Sequence, residues 1–324
     1  MMENKTITRQ KRRKPIAAVT AVILFLGIFV IPPAILLGVL FQHVDYQGEA
    51  SRDHLQQIYT AEMFGMKETV HTLQTRDGET LWCADVPHEN PRGVILYLTG
   101  ITKPSVTQFY GHSAWLKEHG FASFLLEVRA HGNSSGQQVG LGYTEIEDVR
   151  AAVAYIKGCT NYQNVPIVIW GVSMGGAIAL NAFGQMSDID ACIAMSPYAS
   201  FESEIDLAMK QYWIPKPLRA IENQLLEWIL DGIYGSEVVD TFSPEVQIQN
   251  AGGRPLFLVA CTEDRTVPVE NAYILREKAP DAEFWLRDSK DHFVVNGNNF
   301  TQVRNDTEYC EKMLNWLDKA VGEA

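Results

Sequence analysis

Short apolar runs alternating with helical patterns constrain this chain more than any other feature. Residues 94–98, 122–128, 166–170, 191–195, 255–260 and 283–286 read as strands, and most are apolar at nearly every position. Strands buried on both faces have that composition, and they alternate with helices when a parallel sheet is covered on both sides. Helical patterns fall at about 145–156, 176–186 and 301–321. Ahead of them, 68–87 reads as a hairpin, because Val70-His71-Thr72-Leu73 and Thr80-Leu81-Trp82 flank the turn-forming pair Asp77-Gly78. One stretch breaks the alternation. Between Pro197 and Ala251 lie two helical patterns and no strand, too long for an ordinary connection. Tyr212-Trp213-Ile214-Pro215 and the Leu-rich run at 225–230 are too apolar for a surface loop, so a cap over the sheet end is expected at about 200–251.

The N-terminus is different. Residues 15–41 carry no charged side chain and follow Lys11-Arg12-Arg13-Lys14. As a helix this run would reach roughly 40 Å, more than a hydrocarbon core. The preceding basic cluster places the N-terminus in the cytoplasm. The expected organisation is therefore a cytoplasmic tail at 1–14, a transmembrane anchor at 15–41, a linker with a juxtamembrane helix at 42–67, and a globular domain at 68–324 on the extracytoplasmic side. Pro32-Pro33 leaves 16–31 as the unbroken part of the run. A cleaved signal peptide, cut near Gly48-Glu49-Ala50 and yielding a secreted protein, is the competing reading. The length of the run favours the anchor.

Composition narrows the function. The net charge of -12 argues against nucleic acid as a partner, since phosphate binding needs a surplus of Lys and Arg. The five cysteines form no CxxC pair and no zinc-spaced cluster with histidine, and no metal or organic cofactor is implied. Cys192 and Cys261 lie in or beside apolar strands and read as small core residues.

The chemistry lies at strand ends. Gly171-Val172-Ser173-Met174-Gly175 is G-x-S-x-G between a strand and a helix, the setting in which a strained turn lifts a serine hydroxyl above the sheet. A serine needs a neighbouring base to act as a nucleophile. His292 follows the last strand and is the expected general base. Asp264 follows the strand before it, where it can orient the imidazole and stabilise its charged form; adjacent Glu263 is the fallback. The Met174 N–H, at a helix N-terminus, and the Ile101 N–H, in Thr99-Gly100-Ile101-Thr102, are the expected oxyanion donors, with the Thr102 N–H as the alternative to Ile101. Three blander readings compete: Ser173 as a turn serine, His292 as a surface histidine, Asp264 as a helix cap. Asp148 is expected on an exposed helix face.

From about Glu68 to the C-terminus the pattern resembles the α/β-hydrolase superfamily, in its serine-hydrolase branch with a short helical cap. Arg129-Ala130-His131-Gly132-Asn133-Ser134-Ser135-Gly136 resembles the family's R-G-H-G-x-S-x-G loop, Asp264-Arg265-Thr266-Val267-Pro268 its D-x-x-V-P segment, and His292-Phe293 its H-F. Thr99-Gly100 departs from the usual His-Gly. The resemblance supports Asp264 over Glu263 and implies a structural role for His131. It implies an α/β-hydrolase fold: a mostly parallel, doubly wound sheet with a helical cap insertion, here preceded by one transmembrane helix. The implied activity is membrane-anchored cleavage of a carboxylic ester or thioester, with a small-molecule ester or lipid-like substrate. A peptidase of the same fold and a non-catalytic, membrane-anchored binding domain are the alternatives.

Overall fold

The computed structural model describes residues 19–20, 22–23, 25–47 and 53–322. The basic tail expected at 1–14 and the cleavage site expected at 48–50 lie outside these residues. Eight strands form one sheet: β1 (Thr69–Gln74), β2 (Thr80–Val86), β3 (Gly93–Leu98), β4 (Phe121–Leu126), β5 (Ile167–Val172), β6 (Ala191–Met195), β7 (Leu256–Cys261) and β8 (Glu283–Arg287). Their order is β1-β2-β4-β3-β5-β6-β7-β8. The hairpin β1–β2 joins β4 in antiparallel fashion, and every later pairing is parallel.

Ahead of the sheet lie the π-helical stretch Leu26–Val30 and helix α1 (Ile31–Leu40). Then come α2 (Tyr110–Lys117), α3 (Ile146–Gly158) and α4 (Met174–Gln185). The insertion between β6 and β7 holds α5 (Phe201–Gln211), α6 (Lys216–Tyr234), α7 (Ser236–Thr241) and α8 (Pro244–Gln247). Helices α9 (Glu270–Lys278) and α10 (Thr307–Val321) complete the chain. Strand alternation divides the core. In β5, Ile167 and Ile169 pack on one side of the sheet with Ile178 and Leu180 of α4, while Val168 and Trp170 pack on the other with Tyr309 and Trp316 of α10. Both faces are covered, which is why these strands are apolar throughout.

The transmembrane anchor expected at 15–41 is overturned. Among the described residues, no helix is long and apolar enough to cross a membrane. The run changes geometry partway: Leu26–Val30 is a π-helix, and α1, with Pro32 at its start, is ten residues long. A helix of that length rises about 15 Å, half of a hydrocarbon core. Its end is also part of the folded body, because Leu40 is fully buried in the core with Val139 and Met174. The expected single-pass placement and the membrane as a partner fall with the anchor. In the linker, 53–67 forms two short 3-10 turns, His54–Gln56 and Ala61–Phe64.

Asp148 is a second correction. It is fully buried on α3, because Arg129 reaches it from the loop after β4. The guanidinium donates to Asp148 Oδ1 at 2.6 and 2.9 Å and to Asp77 at 2.6 Å, and the Arg129 N–H donates to Asp148 Oδ2 at 2.7 Å. The two carboxylates hold the Arg129 pKa above its ordinary value even though burial opposes them. All five cysteines are free thiols, with Cys192 and Cys261 fully buried.

Candidate active site

The parallel strands β3, β5, β6, β7 and β8 send their C-terminal ends to one edge of the sheet, where ligand sites of such sheets lie. Ser173 stands there, between β5 and α4, with φ 57° and ψ -125°. That conformation is costly for a residue with a side chain, and the surroundings enforce it. Its N–H donates to Met195 O at 2.8 Å, tying the turn to the end of β6. A Cβ on Gly171 would strike the Gly175 carbonyl, and one on Gly175 would strike the carbonyl oxygens of Leu98 and Thr99. The two glycines of the motif are thus required by close backbone approach.

Asp264 and His292 meet at the same edge. His292 Nδ1–H donates to Asp264 Oδ2 at 2.7 Å, and both residues are buried. The other carboxylate oxygen accepts from the N–H groups of Thr266 and Val267 at 2.8 and 3.1 Å. Asp264 is therefore a turn cap through one oxygen and a histidine partner through the other. Glu263 is exposed. Ser196, the residue after β6, donates its hydroxyl to the His292 carbonyl at 2.6 Å. Adjacent residues Met195 and Ser196 thus hold Ser173 on one side and His292 on the other.

Met174 opens α4, where the first backbone N–H groups have no partner within the helix. Ile101 lines the same cavity as Ser173 and Met174, and among the described residues its N–H makes no hydrogen bond. Two side chains fix this loop: His131 donates to Ile101 O at 2.6 Å, and Gln56 Nε2 donates to Thr102 O at 3.0 Å. Thr99, where the superfamily usually has histidine, is buried beside the Tyr46 side chain, its hydrogen-bonding neighbour. Support for the loop thus comes from residues N-terminal to the sheet and from the loop after β4. Gln56 and Tyr46 carry no motif that marks them in the sequence.

Over Ser173 opens a cavity of about 630 Å³. Its walls include Phe201, Ile205 and Met209 of α5, Leu218 and Leu226 of α6, and Tyr198. Two carboxyl groups also reach it, Glu204 and Glu222. Burial pushes the Glu204 pKa up to about 8, and the neighbouring charge of Asp264 acts in the same direction. Its carboxyl accepts from Asn271 Nδ2 at 2.7 Å, and Asn271 Oδ1 accepts from the Ala199 N–H at 3.0 Å and the Ser203 hydroxyl at 2.9 Å. This clasp joins the base of the cap to the segment after Asp264. The signal available in the sequence was a carboxylate three positions from Phe201, on the apolar side of α5. Among the described residues, no group of His, Cys, Asp and Glu side chains could hold a metal ion.

The family model of serine aminopeptidase, S33, matches residues 89–251, just over half of the chain. The chain belongs to this family. It is an enzyme of the serine-hydrolase class with the α/β-hydrolase fold. The matched region of this S33 member contains Ser173 and ends before Asp264 and His292. Over 233 residues the chain is 26% identical to an uncharacterised protein, YqkD, of Bacillus subtilis, covering 70% of this chain and 73% of that one. Among solved structures it is similar to an esterase of Pyrococcus furiosus, with TM-score 0.63, 19% identity, and coverage of 87% of this chain and 100% of that one. It is also similar to an acylaminoacyl peptidase of Pyrococcus horikoshii, with TM-score 0.61, 14% identity, and coverage of 83% and 44%. At these identities the two structures speak for the fold alone.

Proposed function

We propose that this serine hydrolase cleaves carboxylic esters or thioesters with an apolar acyl group, through an acyl-enzyme. Ser173 attacks the acyl carbon, and its proton passes to His292 Nε2. Asp264 fixes the imidazole tautomer through Nδ1 and stabilises the imidazolium that forms. The N–H groups of Met174 and Ile101 take up the developing oxyanion. The imidazolium then protonates the leaving group, and water repeats the sequence to free the acid.

The observation that carries this reading is the composition of the cavity wall at Ser173. Apart from Glu204, Glu222 and Thr266, the side chains that line it beyond the nucleophile are apolar or aromatic. Such a wall binds hydrocarbon by excluding water and offers few groups to a peptide backbone. The two carboxyl groups are the observation favouring a peptidase, since an acidic pocket could receive a free amine. Burial raises the pKa of both carboxyl groups, that of Glu204 to about 8, which weakens their hold on a cationic amine and supports the ester reading over the peptidase.

Labelling with a fluorophosphonate probe tests the assignment. Wild type should label, Ser173→Ala should not, and His292→Ala should label far more slowly. A folded wild type that resists the probe would refute the nucleophile assignment.

A further inference from the structure

Residues 25–41 of the apolar run that resembles a membrane span have a definite place in the structure. At its C-terminal end the run is pinned. Leu40 is buried, and its carbonyl accepts from the Val139 N–H at 2.8 Å. Val44 then pairs with the loop after β4: its N–H donates to Ala130 O at 2.7 Å, and its carbonyl accepts from the Gly132 N–H at 2.9 Å. The His43 ring lies between the carbonyls of Gly132 and Gly136, 2.9 Å from each. Helix α1 is thereby fixed relative to the sheet edge.

One face of α1 lines the cavity above Ser173. Pro32, Ile35, Leu36 and Val39 all contribute to its wall. Their spacing is i, i+3, i+4 and i+7, a single stripe along a helix. Leu36 is half-buried against the core, whereas Ile35 is 63% exposed, so this wall borders open space. Across from it stand residues of α5 and α6, among them Met209, Leu218 and Leu225. The cavity is therefore bounded by two separate parts of the chain, the cap and the N-terminal helix.

We propose that the Pro32–Ile35–Leu36–Val39 stripe is the specificity-determining wall for a medium-length linear acyl chain. The reactive carbonyl sits at Ser173, and the hydrocarbon runs between α1 and the cap. A short acyl group ends near Ser173 and does not need this wall; a longer one does. The proposal rests on the esterase reading above.

The test compares full-length wild type with Ile35→Trp and Leu36→Trp on p-nitrophenyl acetate and p-nitrophenyl decanoate. Each variant places an indole in the cavity on the wall side. For acetate, kcat/KM should stay within about twofold of wild type. For decanoate it should fall by about tenfold or more, chiefly through KM, the signature of lost binding common to ground and transition states. Ile35 is exposed, so Ile35→Trp needs no rearrangement of the core and remains informative if Leu36→Trp does not fold. Equal losses on both esters, or none with Ile35→Trp, would overturn the proposal while leaving the esterase reading intact. A wild type that cleaves neither ester would overturn both. Losses appearing instead across a series of alkyl acetates would place the hydrocarbon on the alcohol side and overturn the acyl assignment.

Discussion

The His131 imidazole, on the loop after β4, holds the carbonyl of Ile101, on the loop after β3, at 2.6 Å. This contact joins the loops that leave two neighbouring parallel strands, and it fixes the peptide just beyond the one whose N–H is a proposed oxyanion donor. Removing it leaves a nearly buried carbonyl without its partner and the loop free to drift. His131→Ala is expected to lower kcat by roughly ten- to a hundredfold with little change in KM, because the lost contribution belongs to the transition state. Gln56→Ala, which releases the neighbouring Thr102 carbonyl, should give a smaller effect of the same kind. Steady-state kinetics on a short ester, with kcat referred to active sites titrated by the fluorophosphonate probe, would separate this from a folding defect, which lowers the titrated fraction and leaves kcat per active site unchanged.

The pairing of Asp264 with His292 makes a sharp distinction between two adjacent carboxylates. Asp264→Asn keeps the size of the side chain but presents an amide to Nδ1, allowing the wrong tautomer. The expected loss in kcat is on the order of 10⁴-fold. Glu263→Gln, at an exposed position, should leave kcat within about twofold. Comparable losses in both variants would reassign the acid.

Glu204 yields a prediction in pH. The folded protein keeps this carboxyl protonated up to about pH 8, mainly through burial, whereas in an unfolded chain a glutamate ionises near pH 4.3. Between those values the folded state retains a proton that the unfolded state has released. Its contribution is present below about pH 4.3 and is lost as pH rises toward 8. Glu204→Gln removes that dependence while keeping an acceptor for Asn271. The variant should be more stable than wild type at pH 7, by at least about 1 kcal/mol, and no more stable at pH 4. Urea unfolding midpoints at the two pH values decide this.

Much of the sheet was legible because a strand buried on both faces has little choice of residue. Trp170, Ile169 and their neighbours could not be polar without leaving groups unpaired in the core. The turn at Ser173 was legible for a related reason, since its glycines answer to backbone contacts that no other residue allows. Helix α2 was missed: its buried side includes Gly111, His112 and Ser113, and the His112 Nε2 meets the Tyr309 hydroxyl at 2.9 Å. Asp148 was misplaced for the same physical reason. Its partner Arg129 sits 19 positions away on a loop, where no periodicity marks a buried ion pair. The N-terminal run misled most. When every face of a helix is apolar, a stripe at 32, 35, 36 and 39 that lines a cavity looks the same as a stripe facing lipid.

The pairing of the N-terminal strap with the loop after β4 also bears on how the protein assembles. His43 meets Gly132 across 89 positions of chain. Closing so long a loop is entropically unfavourable until both ends are already ordered, and the receiving end is ordered only once β4 lies in the sheet. Docking of the strap therefore depends on β4 having joined the sheet. Ser173 and His292 lie farther apart in sequence than His43 and Gly132, so the catalytic groups of the proposed mechanism and the α1 wall of the cavity both depend on the completed sheet.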